Sequence, residues 1–384
     1  MNMPYDKTIL EASQREAYAS ETNHRAIIRE MAKFVKTNNA LGASLFLIDI
    51  TLYGLAIVAV LLVQNLPLKI LASIFAGIKL SNLAALAHDA AHNSLTNSRR
   101  LNWLIGVLSF TTCLFNYRLW VYDHHSLHHP HTNDKHPDSY KPLSKAEYDA
   151  LTTIGKYWYR FIRSANPFAF GTYYIVQRWS RVKFIPGAFL PAKLRTSAWQ
   201  HFAFMMVYLV SFITLLAMAP QYSSTSVITA ILLGLVLPFF IFQSLLALAL
   251  YLNHTHPAIP WFNDKTAYLN TAAPEYMTVH VRFPQIISTL AHHFFEHPAH
   301  HVYPAIPCHQ LRNAQTRLNQ MLGENAVIVN FSLSNLVAIM RVCKLYDYEN
   351  FRWLDFDGKA ITPTCKLVSQ LHPQINFAKE HVWN

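Results

Sequence analysis

Four long apolar stretches constrain this chain more than any other feature of its sequence. Each is at least as long as the roughly 20 helical residues that cross the hydrocarbon core of a bilayer. Charged residues make up only 14% of the chain, against about 25% in a typical soluble domain. We therefore predict an all-α membrane protein with four transmembrane helices. The predicted spans are residues 41–63, 67–87, 199–219 and 226–252.

Very short polar turns join these spans in pairs, and the turn of the second pair reads QYSSTS. Such short connections are typical of antiparallel neighbouring helices, so we predict two hairpins. A further apolar stretch, 101–121, is less uniform and carries Asn116 and Arg118 near its end. We interpret it as an interfacial or re-entrant segment, because the distribution of basic residues argues against a fifth span.

Basic residues are unevenly distributed between the segments outside the spans. Segment 122–198 holds eleven Lys or Arg and segment 1–41 holds six, whereas the two hairpin turns hold none. The positive-inside rule therefore places 122–198 and both termini in the cytoplasm. If 101–121 crossed the bilayer, 122–198 would lie outside, against that rule. The predicted organisation is a cytoplasmic N-terminal segment 1–40, a membrane domain 41–312 and a cytoplasmic C-terminal segment 313–384.

Histidine is as frequent in this chain as Asp and Glu together, with 21 residues of each kind. Three clusters stand out: HDAAH at 88–92, HHSLHHPH at 124–131 and HPAHH at 297–301. Template counting at this histidine frequency predicts about 0.06 copies of HxxHH by chance, whereas two are present. In the predicted topology all three clusters lie at the cytoplasmic membrane face, on a helical cap, where they can converge on one site. The scattered His24, His201, His280, His372 and His381 are expected to be surface or hydrogen-bonded residues.

The number of clustered imidazoles indicates what kind of metal site they form. A structural zinc takes four ligands and a catalytic zinc three, so eight imidazoles exceed the need of one zinc. Imidazole also suits iron, copper and nickel. The count favours a dinuclear iron centre, dominated by histidine because the three clusters lack the ExxH pairs of bundle-type di-iron proteins. The four cysteines show no CxxC spacing and therefore signal no thiolate zinc site.

Three segments resemble the histidine boxes HxxxH, HxxHH and HxxHH of the integral-membrane fatty acid desaturases. They are HDAAH (88–92), HSLHHPHTN (125–133) and HPAHHVYPAIP (297–307). A fourth segment, YLNHTHPAIPWF (251–262), resembles a stretch that methyl-end acyl-lipid desaturases carry before the third box. The resemblance covers about residues 45–312. The chain departs from the usual pattern at Ala90 and Ala91 in box one and at Pro298 and Tyr303 in box three.

The resemblance implies that the eight box histidines bind two iron ions. The family usually adds a ligand between boxes two and three, for which His254 is the first candidate, followed by His256 and His293. Asp89 is expected to orient an imidazole through its other N–H; the alternative is a carboxylate on the helix surface. The eight implied ligands are His88, His92, His125, His128, His129, His297, His300 and His301.

The implied reaction is the O₂-dependent removal of two hydrogens from adjacent methylene carbons of an acyl lipid, leaving a cis double bond. Each turnover needs two external electrons. The sequence contains neither a GxG of a dinucleotide fold nor an HPGG haem signature, so a separate donor is expected. An acidic ferredoxin or b-type cytochrome explains the net charge of +11 better than nucleic acid does, and membrane lipid headgroups also account for it.

Two other functions stay open at this stage. Di-iron hydroxylases and ketolases of the same superfamily, which act on lipids, alkanes or carotenoids, carry similar boxes; the YLNHTHP element and the HHVYPAIP ending favour desaturation. A histidine-rich metal transporter is the second alternative. Transporters usually place polar ligands on broken helices at the bilayer midplane, whereas the histidines here follow the ends of the spans.

Overall fold

The computed structural model describes residues 23–134, 139–263 and 274–371. The expectations for His372 and His381, and for segments 1–40 and 313–384 beyond these ranges, lie outside the described residues. Helices in the first half of the chain are 23–32 (α1), Asn39–Leu62 (α2), Leu66–Ala91 (α3), Arg99–Thr112 (α4), Tyr117–Tyr122 (α5), Lys145–Asp149 (α6), Thr153–Ile162 (α7) and Ala169–Tyr173 (α8). Those of the second half are Ala192–Ala217 (α9), Ala219–Tyr222 (α10), Val227–His254 (α11), Gln285–Leu290 (α12), His297–Val302 (α13), Cys308–Leu322 (α14), Leu333–Val342 (α15) and Lys366–Leu371 (α16).

Wider and tighter helical turns extend several of these elements. A π-helical turn and then a 3₁₀ turn continue α5, a longer π-helical stretch continues α8, and a π turn interrupts α11. The π turns are Asp123–His128, Tyr174–Phe184 and Leu232–Val236, and the 3₁₀ turns are His129–His131, Pro274–Tyr276 and Gly323–Asn325. The turn after α5 matters most for function, because it carries the second histidine cluster.

Within the described ranges, four helices are long and apolar enough to cross a membrane: α2, α3, α9 and α11. They coincide with the four predicted spans, which confirms that part of the sequence prediction. Their ends differ by a few residues because hydropathy marks the apolar core whereas hydrogen bonding marks the helix. The largest shift is in α9, which begins directly after Pro191, seven residues before the predicted start, with the polar sequence AKLRTSA.

Helix α3 is the central helix of the bundle and packs against α2, α4 and α11. Of its most apolar 18-residue window 61% is buried, compared with 11% for α9. Gly77 permits the contact with α11, since a Cβ at this position would lie 2.6 Å from the Cβ of Ile241. Small residues let membrane helices approach this closely. Because α3 ends at the first histidine cluster, its neighbours determine where that cluster lies.

The less uniform apolar stretch folds into two helices, α4 and α5, at an angle of 109° to each other. Asn116 lies in the bend and is fully buried. Its side-chain oxygen accepts hydrogen bonds from the backbone N–H groups of Arg118 and Leu119, and its amide nitrogen donates to the carbonyl of Ala198. The polar residue that makes this stretch less uniform therefore caps α5 and ties it to α9.

The all-α prediction is wrong in one respect, since two small sheets accompany the helices. Strands β1 (His280–Arg282) and β2 (Ile328–Asn330) pair in parallel, and β3 (Leu345–Asp347) pairs antiparallel with β4 (Arg352–Leu354). The segment around β1, MTVHVRF (277–283), alternates apolar and polar residues, a period that favours strands, whereas β2 lies in a short apolar run. Each strand has only three residues, too few for that period to stand out in the sequence.

A buried ion pair accounts for two of the three charges inside the predicted first hairpin. Nζ of Lys79 on α3 donates to Oδ1 of Asp49 on α2 over 2.8 Å. The second carboxylate oxygen of Asp49 contacts Nε2 of His292, in the segment that leads to the third histidine cluster. Ionisable residues within membrane helices are costly unless they are paired. The pair therefore compensates both charges and fixes a distant segment at the same time.

Lys79→Met removes the cation and leaves the Asp49 carboxylate in contact with His292. Breaking a buried pair from one side costs about 3–5 kcal/mol, so the variant should unfold at a lower temperature in detergent, as measured by tryptophan fluorescence. Adding Asp49→Asn should recover most of that loss. Lys69→Met is the matched control, because Lys69 lies on the same helix and bonds the Thr225 hydroxyl. A single variant as stable as the parent protein would contradict the importance of the pair.

Candidate metal centre

The first histidine cluster lies at the C-terminal end of α3. His88 is in the last turn and His92 is the residue at which the helix ends. Because they are four residues apart, both side chains lie on one face of the helix, and their ring centroids are 4.9 Å apart. Asn93 follows with φ of 57°, a left-handed conformation that Asn tolerates and that ends helices. The chain thus turns away while both imidazoles stay at the end of the bundle.

The second cluster lies on the π turn Asp123–His128 and the 3₁₀ turn after it. In a π turn the backbone N–H bonds the carbonyl five residues back, as that of His129 does with His124. Residues five apart therefore share a face, and Nε2 of His124 lies 3.0 Å from Nε2 of His129. The indole of Trp120 stacks on the ring of His124 with centroids 4.3 Å apart.

The third cluster forms the short helix α13, whose first turn contains Pro298. Proline suits the first turn of a helix because the N–H that it lacks would have no partner within the helix. The side-chain oxygen of Gln315 on α14 accepts from the N–H of Ala299 and holds this turn. All three histidines of the cluster, His297, His300 and His301, are buried.

The ring nitrogens of nine histidines converge into two groups that could each hold a metal ion. Group one consists of His88, His92, His124, His129 and His300, and group two of His128, His254, His297 and His301. Within each group the candidate ligand atoms lie within 4.8 Å of one another. In group two Nε2 of His297 lies 2.9 Å from that of His254 and 3.0 Å from that of His301.

The two groups are neighbours, and each HxxHH cluster contributes to both. His128 and His301 belong to group two, whereas the adjacent His129 and His300 belong to group one. Consecutive residues of a helix point about 100° apart, so an HH pair can reach two neighbouring positions. The rings of His129 and His301 are only 4.5 Å apart between centroids. The arrangement therefore suits two ions side by side.

The donor chemistry fits metal ions. Burial, reinforced by the neighbouring imidazoles, holds the pKa of His297, His300 and His301 well below the ordinary histidine value. These rings are therefore neutral, the form that binds metal. Among the described residues, Nε2 of His88, Nε2 of His92 and Nδ1 of His300 are buried without a hydrogen-bond partner. Nitrogens at about 2.0–2.1 Å from one ion and at right angles lie about 2.9 Å apart, close to the separations in group two.

Polar neighbours orient several of these rings. Oδ1 of Asp89 lies 3.2 Å from Nδ1 of His88, and Oδ2 accepts the backbone N–H of Cys308 over 2.7 Å. Asp89 is buried rather than exposed on the helix surface. The hydroxyl of Thr132 lies 3.2 Å from Nδ1 of His301 and donates to the carbonyl of His128. A contact to the outer ring nitrogen leaves the other nitrogen directed at the metal position.

Three of the predicted candidates lie outside the two groups. The ring of His125 is 4.2 Å from that of His92 between centroids, and its Nε2 is buried without a partner among the described residues. Nδ1 of His256 accepts the backbone N–H of Ala258. Nδ1 of His293 contacts the hydroxyl of Ser288. Group one instead contains His124, a residue of the same cluster that the box pattern passes over, and His125 stays a predicted ligand beside it.

An apolar cavity of about 580 Å³ reaches both groups. His88, His124, His128 and His297 line it at one end. Its walls come from α3, α11, the α4–α5 bend and the segment before α13. Most of the wall is aromatic or aliphatic, and includes Phe75, Ile78, Phe110, Phe115, Phe242, Leu245, Leu290, Phe294 and Phe331. The cavity is therefore suited to a hydrocarbon that passes beside the histidines.

Comparison with known proteins places these features in a family context. The model of the family described as fatty acid desaturase matches residues 65–332, more than half of the chain. The chain is 26% identical over 345 residues to a chloroplastic omega-6 fatty acid desaturase of Spinacia oleracea, covering 86% of this chain and 71% of that protein. It is 25% identical over 276 residues to an sn-1 oleoyl-lipid 12-desaturase of Picosynechococcus, covering 71% and 76%. It is 27% identical over 248 residues to an sn-1 acyl-lipid omega-3 desaturase (ferredoxin) of Synechocystis, covering 63% and 65%.

The metal content of variants tests whether His124, which the π turn brings into group one, binds a metal ion. We expect the purified protein to hold two metal ions per chain, one in each group. Inductively coupled plasma mass spectrometry of the purified protein measures this metal content. His124→Ala should lower that content, because group one loses a nitrogen that lies 3.0 Å from a neighbouring ligand nitrogen. His256→Ala is the matched control and should keep both ions. Retention of both ions in His124→Ala, together with loss in His125→Ala, would show that His125 completes group one.

Proposed function

This chain belongs to the fatty acid desaturase family and is an oxidoreductase, and we propose that it introduces a cis double bond into the acyl chain of a membrane lipid at a pair of iron ions. The observation that carries the proposal is the convergence of nine imidazoles into two adjoining groups beside an apolar cavity. The names of the relatives, which include acyl-lipid and oleoyl-lipid desaturases, support a lipid-linked acyl chain as the substrate.

Group one and group two would each hold one iron ion. The two iron ions would supply the O₂ chemistry, since amino-acid side chains cannot oxidise an unactivated C–H bond. The protein supplies the ligand field and its orientation. Asp89 fixes the ring of His88 and Thr132 fixes that of His301. Loss of such outer contacts typically costs 10–100-fold in metal affinity or activity. The family-implied ligand His125 remains a candidate beside His124.

The apolar cavity would bind the acyl chain. Burial of each methylene contributes about 0.8 kcal/mol, so an aromatic and aliphatic wall holds a long chain without a polar anchor. Rigid packing also determines which carbons lie beside His88 and His124, the histidines at the end of the cavity. Positioning of this kind converts binding into a fixed reaction geometry. It also keeps bulk water away from the carbons that react.

The proposed topology is two membrane hairpins with a re-entrant α4–α5 segment and the histidine clusters on a cytoplasmic cap. Helices α3 and α11 are the second helices of the two hairpins, and both end at histidines of the metal groups. Second helices of neighbouring hairpins return to the same side. The bend of 109° agrees with a segment that enters and leaves on that side. The excess of Lys and Arg in 122–198 supports a cytoplasmic location for it.

The electrons would come from a separate protein, either an acidic ferredoxin or a b-type cytochrome. One relative carries ferredoxin in its name. The chain has a net charge of +11, and opposite charge steers an acidic donor towards its partner. The same positive charge also suits anionic lipid headgroups, so salt-dependent reduction rates distinguish donor docking from membrane attraction.

Expression in a host that lacks polyunsaturated fatty acids tests the proposed function. We expect a new fatty acid two mass units lighter than its precursor, with a cis double bond, by gas chromatography with mass spectrometry. His300→Ala should abolish this product while the protein still enters the membrane, because His300 belongs to group one. His24→Ala is the control, since its ring contacts Glu275 rather than another imidazole. A product sixteen mass units heavier would indicate hydroxylation instead.

A further inference from the structure

A second cavity approaches the metal groups from another side. It has a volume of about 800 Å³ and lies between α4, α5 and α9, and we call it the polar groove. His92 and His125 lie at its inner end, and the partly exposed Trp103 and Phe204 lie at its outer edge. Among the residues that the structure describes, those lining the groove and those lining the apolar cavity do not overlap. The centre is therefore accessible from two directions.

The two cavities differ in chemistry. The polar groove is lined on its α5 and α9 side by Arg118, Ser197, Gln200 and His201. Nε of Arg118 donates to the Ser197 hydroxyl over 3.3 Å, which links α5 to α9 in the groove lining. The ring of His201 lies against that of Tyr117, with centroids 5.4 Å apart. Apolar residues such as Leu104 and Val107 also line the groove, and the charged Lys79, Asp123, Arg178 and Lys183 also line the apolar cavity. The polar share of the lining is nevertheless larger in the groove, and polar linings hold water better than aromatic ones.

The proposed reaction requires a route for water and protons. Conversion of –CH₂–CH₂– to –CH=CH– with one O₂ and two electrons from the external donor consumes two protons and releases two molecules of water. The two carbons lose two hydrogen atoms, and O₂ is reduced fully to water. With an acyl chain in the apolar cavity, protons and water cannot cross that side without entering a hydrocarbon environment. A second and wetter path has to reach the same centre.

We propose that the polar groove is this path and that His201 relays protons along it. The inference rests on the proposed function, because the need for protons follows from desaturation. The titratable or charged groups that line the groove besides His201 are Tyr117 and Arg118 on α5 and the inner His92 and His125; none of the lining residues is a carboxylate. Of the residues lining the groove, His201 is the imidazole that belongs to none of the three histidine clusters. An imidazole can accept a proton at one ring nitrogen and release one from the other, which makes His201 the relay along the groove.

Substituted-cysteine labelling tests whether the groove is hydrated, and it needs no turnover. The four native cysteines are buried and give a low background. In membranes, Val121→Cys, at the inner part of the groove, should react with a charged, water-soluble methanethiosulfonate at least tenfold faster than Val207→Cys. Val207 is the control because it lies on α9, is 66% exposed and is not among the groove-lining residues. Equal, slow reaction at both positions would overturn the proposal.

Turnover then tests whether the groove serves the reaction. The labelled Val121→Cys protein should keep its metal and lose most of its turnover relative to the same unlabelled variant. His201→Gln, which keeps the size of the side chain but cannot relay a proton, should lower kcat about tenfold and raise the solvent deuterium isotope effect, with KM for the lipid unchanged. A raised KM with kcat unchanged would overturn the proposal and identify the groove as a lipid-headgroup site. Labelling does not depend on turnover. Slow labelling of Val121→Cys would therefore contradict the hydrated groove, whereas absence of a desaturated product would contradict the proposed function.

Discussion

The structure depends on bringing nine imidazoles, seven of them buried and two half-buried, within a few ångströms of each other. Removing so many polar rings from water is unfavourable unless their nitrogens find partners. Hydrogen bonds among the rings satisfy only part of this need, because several buried nitrogens of group one have no partner among the described residues. A metal ion in each group would satisfy them together. The surrounding helices can thus be understood as a frame that brings three distant clusters to one place.

That frame uses polar residues inside the membrane helices. The Asp49–Lys79 pair reaches His292, and the side chain of Asn82 on α3 donates to the carbonyl of Leu290. Both contacts hold the segment just before α13 against α3. The same helix carries His88, so these contacts fix the distance between the first and third clusters. Charges that look misplaced in an apolar stretch therefore position the candidate ligands, which gives them a role beyond stability.

The sequence was sufficient to predict the four long helices and the three histidine clusters, because hydropathy and residue spacing are local properties. It did not predict that His124, rather than His125, would join group one. The HxxHH spacing assumes α-helical geometry, whereas the backbone after α5 is a π turn, in which residues five apart share a face. A π turn depends on packing around Trp120 and Asp123, and no residue pattern announces it. His254, by contrast, was already named as a candidate, because the family resemblance implies a further ligand between boxes two and three.

The HH pairs and the two cavities together suggest why the centre has this particular arrangement. Because His128 and His129, and likewise His300 and His301, face different groups, a shift of either short helix moves ligands of both metal positions at once. The apolar cavity contacts His88, His124, His128 and His297, whereas the polar groove contacts His92 and His125. Hydrocarbon and water can therefore approach the same pair of sites without sharing a path. In the proposed function, the apolar cavity would select the carbons that react and the polar groove would exchange the protons.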